Sequence, residues 1–318
     1  MNNIPKRKIA VMGAGAIGSY FGAMLARGGA DVTLIGRAAH VEAIARNGLS
    51  LQTQHATETI QLSATVDPSG VRGAHWVLFC VKSIDTEEAT RAIAPHLARD
   101  AVVLSLQNGV DNVERMRRHF ANPVVPAAVY VAVAIAAPGC VRHSGRGDLT
   151  IGEIAAGGSG LDRELNEIAA FFSQASIPVR ISDNIEGELW AKLVLNCAYN
   201  AISALTRSNY GRLLATPQAR AIMRDVVEEI QTVAQAKGIT IPGDNLLETT
   251  YRLADAMPEA TSSTAQDIAR GRRTEIDHLN GYVAREGARL GIPTPVNRTL
   301  HALVKLIENF AVSATPTL

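Results

Sequence analysis

Short β-branched runs recur through the first half of the chain, each followed by residues at helical spacing. Lys8–Met12 is one such run, a helical pattern covers about Ile17–Arg27, and Asp31–Ile35 is a second run. Five-residue apolar runs bounded by turn residues read as buried strands, and apolar positions three and four apart read as one face of a helix. Trp76–Val81 and Ala101–Leu106 continue the series, with helical spacing over about Asp85–Leu97 between them. Strands alternating with helices predict a parallel, doubly wound sheet. Leu49–Val66 alternates and predicts extra strands in a hairpin-like insertion.

The pattern changes near Ile177–Ser182. Beyond it Asn184–Leu205, Pro217–Lys237, Leu246–Ala254 and Ser263–Leu290 carry Ala, Leu, Glu and Arg at helical spacing. The expectation is an α/β protein. A Rossmann-type dinucleotide-binding domain with a mostly parallel sheet covers residues 1–182, and an all-α substrate and catalytic domain covers 183–318. No linker or repeat separates them, so direct packing with a ligand cleft between them is expected.

Composition narrows the partners. With 318 residues and 47% hydrophobic side chains, the chain can bury two cores. Lys and Arg number 31 against 30 for Asp and Glu, which gives no reason to expect nucleic acid or an anionic membrane. Val124–Cys140 is the longest apolar stretch, but Pro126 and Pro138 interrupt it, so it reads as strand and not as a membrane span. The polar start, Met1–Lys8, lacks the apolar segment of a signal peptide. Cys80, Cys140 and Cys197 are far apart, which suits reduced thiols in the cytoplasm. No His has a second ligand at zinc spacing, so no metal is expected. Oligomeric state, including a homodimer, is left open.

The chemistry begins at Gly13-Ala14-Gly15-Ala16-Ile17-Gly18, a G-x-G-x-x-G between a strand and a helix. In that context Gly13 permits the turn and Gly15 lets a pyrophosphate approach. Gly18 lets helix and strand close on each other, and the helix N-terminus faces the anion. The second strand ends in Leu34-Ile35-Gly36-Arg37, without the carboxylate that holds the ribose of NAD. Arg37 there suits the 2′-phosphate of NADP, the other reading being a solvated surface arginine. Lys82 and Asn108 follow successive strands at the edge where ligands bind in open sheets. Lys82 reads equally as a solvated lysine, and Asn108 as the turn former of Asn108-Gly109.

Lys192, Asn196 and Asn200 recur every four residues on an otherwise apolar helix and share one face. They are either a row of donors facing a ligand or a polar seam satisfied by neighbouring helices. Ser263 with Gln266 fits a capping box. The run from Arg273 to Gly281 reads, on its own, as a solvated helix face.

In this combination of motifs the chain resembles the ketopantoate reductases. The match comprises Gly13–Gly18, Lys82, Asn108-Gly109, Glu188-Leu189-Trp190-Ala191-Lys192-Leu193 through Asn196 and Asn200, Asn209 before Gly211, Ser262-Ser263, and Thr274-Glu275-Ile276-Asp277-His278-Leu279-Asn280-Gly281. The resemblance implies NADP(H) as cofactor and a small 2-keto acid as substrate. It implies Lys192 as proton donor to the ketone, with Glu275 at the cofactor or the substrate hydroxyl. Asn108, Asn196, Asn200, Asn209 and Ser263 would hold the keto acid, and Arg37 and Lys82 would serve the cofactor. The loop near Ile135 would touch the cofactor through its main chain. The alternatives are a reductase of a different small 2-keto acid and a non-catalytic NADP-binding sensor.

Overall fold

The computed structural model describes residues 7–154 and 160–313; the polar stretch over residues 1–6 lies outside them. The chain divides into two compact units, residues 1–185 and 186–318.

The first unit runs β1 (Lys8–Met12), α1 (Ala16–Arg27), β2 (Asp31–Ile35), α2 (Ala38–Asn47), β3 (Leu49–Gln52), β4 (Thr57–Ile60) and β5 (Ser63–Thr65). It continues with β6 (Trp76–Phe79), α3 (Thr86–Ile93), β7 (Val102–Ser105), α4 (Asn112–Arg117), β8 (Val124–Ala137), β9 (Cys140–Ile151), α5 (Asp162–Gln174) and β10 (Val179–Ile181). The strand order β5-β2-β1-β6-β7-β8 is parallel throughout, with β1 and β6 adjacent where the winding reverses. Ligands of such sheets bind at that reversal, beyond the carboxyl ends of the strands. Side chains alternate across the sheet as a two-residue period requires. Ile9, Val11, Trp76, Leu78, Val102 and Leu104 join one core, and Ala10, Val77, Phe79 and Val103 join the other.

Past β8 the sheet stops being parallel. The chain turns through Pro138-Gly139, with Gly139 at φ 72°, and β9 returns antiparallel to β8. β3 and β10 add to β9 in parallel, and β4 closes the edge antiparallel to β3. Leu49–Val66 is therefore only partly a hairpin: β3 and β4 pair with each other, while β5 leaves to extend the parallel sheet beside β2. The helix expected over Asp85–Leu97 is shorter, with 3-10 turns at Ser83–Asp85 and Ala94–His96 flanking α3. Pro95 lacks the N–H that would continue the helix.

The second unit is helical: α6 (Ile185–Thr206, which begins one residue before the boundary), α7 (Tyr210–Ala215), α8 (Pro217–Ala236), α9 (Leu246–Ala256), α10 (Ser263–Ala269), α11 (Asn280–Leu290) and α12 (Pro295–Ser313). α6 buries Leu189, Trp190, Leu193, Val194, Cys197 and Ala198, as a central helix must. The expected helix over Ser263–Leu290 is broken. α10 ends at Ala269, and the exposed Arg270-Gly271-Arg272-Arg273 has no apolar side chain to bury, with Gly271 at φ 61°. A 3-10 turn over Ile276–His278 then leads into α11. Asn280, at 0% exposure, ties this region together. Its Nδ2 donates to the Cys197 carbonyl on α6 (3.2 Å) and to Asn297 Oδ1 on α12 (3.0 Å), while Asn297 Nδ2 donates to Glu229 on α8 (2.7 Å).

Candidate active site

The glycine loop lies between β1 and α1, at the winding reversal. Gly13 has φ 101°, and a Cβ there would lie 2.6 Å from the Val81 main-chain nitrogen, so only glycine fits. A Cβ on Gly18 would overlap the Gly13 carbonyl oxygen, so its bare Cα is what lets α1 approach the strand. Gly15 differs from both: nothing lies within 4 Å of a Cβ placed on it. It is the N-cap of α1 with no side-chain cap, and the first turn carries no acidic residue. Open space beside an uncapped helix N-terminus is the environment a pyrophosphate requires.

Arg37 is exposed as the N-cap of α2, another helix start with neither a capping side chain nor an acid in its first turn. Behind it His40 is buried. His40 Nδ1 accepts from the Gly139 N–H at 2.9 Å, so the remaining ring proton sits on Nε2 and is given to Ser19 Oγ at 3.0 Å. Burial holds the His40 pKa below the usual imidazole value, so the ring stays neutral. This imidazole joins α1, α2 and the β8–β9 turn.

Lys82 and Asn108, both half-buried, end the segments after β6 and β7. A buried polar network joins those two segments. Ser83 Oγ donates to the Asn108 carbonyl at 2.6 Å, and Asn112 Nδ2 donates to the same oxygen at 2.7 Å. Gln107 Nε2 donates to the Val81 carbonyl at 3.1 Å and to Thr86 Oγ1 at 2.8 Å. Arg115 donates to the Ser83 carbonyl at 2.8 Å. Sequence reading missed Ser83, Gln107 and Asn112; the only signal was their proximity to Lys82 and Asn108 in the chain.

In the second unit Lys192, Asn196 and Asn200 share one face of α6, Lys192 and Asn196 half-buried and Asn200 4% exposed. The N-cap of α10 is Ser262, whose Oγ accepts from the Ala265 N–H. That corrects the expected capping box: Ser263 is the exposed first residue of the helix, and Gln266 Nε2 reaches the Thr261 carbonyl at 3.4 Å. Asn209 caps α7, accepting from the Arg212 N–H at 3.0 Å, and its Nδ2 donates to Glu259 at 3.0 Å. Glu275 precedes the 3-10 turn and is half-buried. Ile135 lies in no loop; it stands within β8 opposite Val141 and packs on the core.

Among the described residues no group of three or more His, Cys, Asp or Glu could hold a metal ion. No helix among them is long and apolar enough to cross a membrane. The three cysteines are free thiols.

Family models place this arrangement. Residues 9–156 match the ketopantoate reductase PanE/ApbA model, and residues 184–308 match its C-terminal companion. The chain belongs to the ketopantoate reductase family. Family members are oxidoreductases with a Rossmann-like N-terminal domain and a helical C-terminal domain. A 2-dehydropantoate 2-reductase of Halobacterium salinarum is 33% identical over 304 residues, 95% of this chain and 99% of the relative. One from Pyrococcus horikoshii is 35% identical over 305 residues, 95% and 98%. Among solved structures, a PanE/ApbA family ketopantoate reductase from Ralstonia eutropha superposes with a TM-score of 0.90 at 53% identity, covering 96% of this chain and 99% of the other. A ternary structure of D-mandelate dehydrogenase with NADH and anilino(oxo)acetate superposes equally well, TM-score 0.90, at 26% identity over 96% and 99%.

Proposed function

We propose that the chain reduces 2-dehydropantoate (ketopantoate) to pantoate with NADPH, a step of pantothenate biosynthesis. The observation that carries this reading is the face of α6 on which Lys192, Asn196 and Asn200 stand in a family of keto-acid reductases. Bound NADPH supplies a hydride to C2 of the keto acid. The N-terminus of α1 and Gly13–Gly18 would hold its pyrophosphate, Arg37 its 2′-phosphate, and Lys82 and Asn108 would contact it from the ends of the segments after β6 and β7. Asn108 also touches the keto acid. Negative charge grows on the ketone oxygen, where the Lys192 ammonium stabilises it and delivers the proton. Asn196 and Asn200 bind the carboxylate and hydroxyl groups of the substrate, and Ser263 joins them. Asn209 would join them through the N–H and lone pair left over from its bonds to Glu259 and the Arg212 N–H. Glu275 accepts a hydrogen bond from the substrate hydroxyl or the cofactor.

A second reading is a reductase of another 2-keto acid, favoured by the superposition on D-mandelate dehydrogenase. The absence of an acid at the end of β2 and the presence of Arg37 support NADPH over NADH. Turnover of ketopantoate and phenylglyoxylate with each cofactor separates these readings. Preference for phenylglyoxylate or for NADH would replace the first reading. Lys192→Ala should lower kcat by about 10²–10⁴, the contribution of a positioned acid, with NADPH binding retained. A folded Lys192→Ala protein with near-normal turnover would remove Lys192 as the acid.

A further inference from the structure

The stretch Thr274–His278 reads in sequence as a solvated helix face, yet it is bound tightly to α12. The Thr274 N–H donates to Glu308 Oε1, and Thr274 Oγ1 in turn accepts from the Ile276 N–H at 3.3 Å. On the far side of Glu275, Asp277 Oδ1 pairs with His301 Nε2 at 2.7 Å, and the Asp277 carbonyl accepts from Arg285 at 2.7 Å. One side chain spans the two anchors: Lys305 Nζ lies 2.9 Å from Asp277 Oδ2 and 2.7 Å from Glu308 Oε2. Residue 275 is thus flanked by one residue hydrogen-bonded to Glu308 and, two positions on, by Asp277. Both carboxylates converge on the same ammonium.

The electrostatics agree with the geometry. Hydrogen bonds from His301 and Lys305 hold the Asp277 carboxyl well below the ordinary carboxylate range. Burial alone would raise Glu308, but the bonds from Lys305 and Thr274 outweigh it. At 5% exposure Glu308 would be a costly buried charge without Lys305. Removing the lysine leaves two carboxylates close together, one of them buried, and each would give up its present geometry to reach water or another donor.

We propose that Lys305 is a positioning residue, which fixes the Thr274–Asp277 segment on α12 and thereby sets the placement of Glu275. The inference rests on the role given above to Glu275. None of the motifs that mark the family here includes Lys305, and its side chain acts only through the two carboxylates.

The test uses the full-length protein with NADPH and ketopantoate. Lys305→Met should lower kcat between about 10- and 10²-fold, the scale on which small misplacement of a working group costs rate, with NADPH binding retained and the melting temperature lowered, because Glu308 loses its buried partner. Lys305→Arg, which can still reach both carboxylates, should restore most of it. Hydrogen exchange of peptides covering residues 273–279 should quicken by about tenfold or more in Lys305→Met while α6 and α8 remain protected. In a Glu275→Gln background the Lys305→Met substitution should cost nothing further. Losses that multiply in the double variant, or unchanged exchange over 273–279, would overturn the proposal. Should Lys305→Met not fold, Asp277→Asn carries the same expectations, since it cuts the clamp at one arm. Full turnover of Glu275→Gln alone would instead overturn the role of Glu275, and the exchange result distinguishes that failure from failure of the clamp.

Discussion

The hydroxyl of Ser262 donates to the main-chain carbonyl of Asn200 at 3.1 Å while accepting from the Ala265 N–H at 3.0 Å. One buried side chain therefore caps α10 and seats that cap on α6 beside the last amide of the Lys192 face. The Ser262 N–H is held as well, donating to Ser203 Oγ at 3.3 Å. Ser262→Ala removes the cap and the tie together. Urea unfolding should report a loss of about 1–2 kcal/mol, the upper part of the range for an N-cap. The KM for ketopantoate should rise while NADPH affinity stays constant. A stability loss with unchanged KM would mean that α10 does not help to place Asn200.

The two kinds of glycine in the cofactor loop separate by experiment. A methyl on Gly18 meets the Gly13 carbonyl and the Val11 side chain, so Gly18→Ala should cost about 1–3 kcal/mol of stability by overpacking. A methyl on Gly15 meets nothing, and its φ of −82° suits alanine, so Gly15→Ala should change stability by less than about 1 kcal/mol. Its effect should fall on the cofactor, whose pyrophosphate would occupy that space. Fluorescence titration of NADPH together with thermal melts of both variants distinguishes the two roles. Normal NADPH affinity in Gly15→Ala would move the pyrophosphate elsewhere.

Cofactor choice turns on Arg37. Arg37→Ala should weaken NADPH by about 1.5–3 kcal/mol, the range for a hydrogen bond to a charged group, and leave NADH nearly unchanged. Calorimetric titration with each nucleotide measures this directly. Equal losses for both would show that the guanidinium does not read the 2′-phosphate.

His40 gives the fold a pH dependence whose sign follows from its neutral state. Burial depresses its pKa, so the unfolded chain takes up a proton near the ordinary imidazole value, about 6.5, while the folded chain does not. The stabilisation is complete above that pH. It declines as pH falls toward the depressed folded value, because protons then favour the unfolded state. Between about pH 8 and pH 5.5, a window that brackets the ordinary imidazole value, melting temperature should fall more steeply in the wild type than in His40→Asn. Asparagine can still accept from the Gly139 N–H but does not titrate. Parallel pH profiles for the two proteins would assign the dependence to other groups.

Local rules made much of this protein legible in its sequence. A glycine pattern between strand and helix works through backbone conformation and close approach, which act over a few residues, so β1, the loop and α1 could be read directly. The four-residue spacing of Lys192, Asn196 and Asn200 survives as one face because a helix preserves its period wherever it lies. Tertiary structure decided what depended on partners distant in the chain. Ser262 and Ser263 are equal as capping candidates by type; Asn200 and Ser203, some sixty residues earlier, select Ser262. Ile135 sits where a loop was expected because β9 pairs along β8 as far as the turn. The polar run from Thr274 to Asp277 looked solvated because its partners, His301, Lys305 and Glu308, lie a helix away. Charge and hydrogen bonding act through space and leave no period in the sequence, so only the fold could bring those three side chains to the two residues on either side of Glu275.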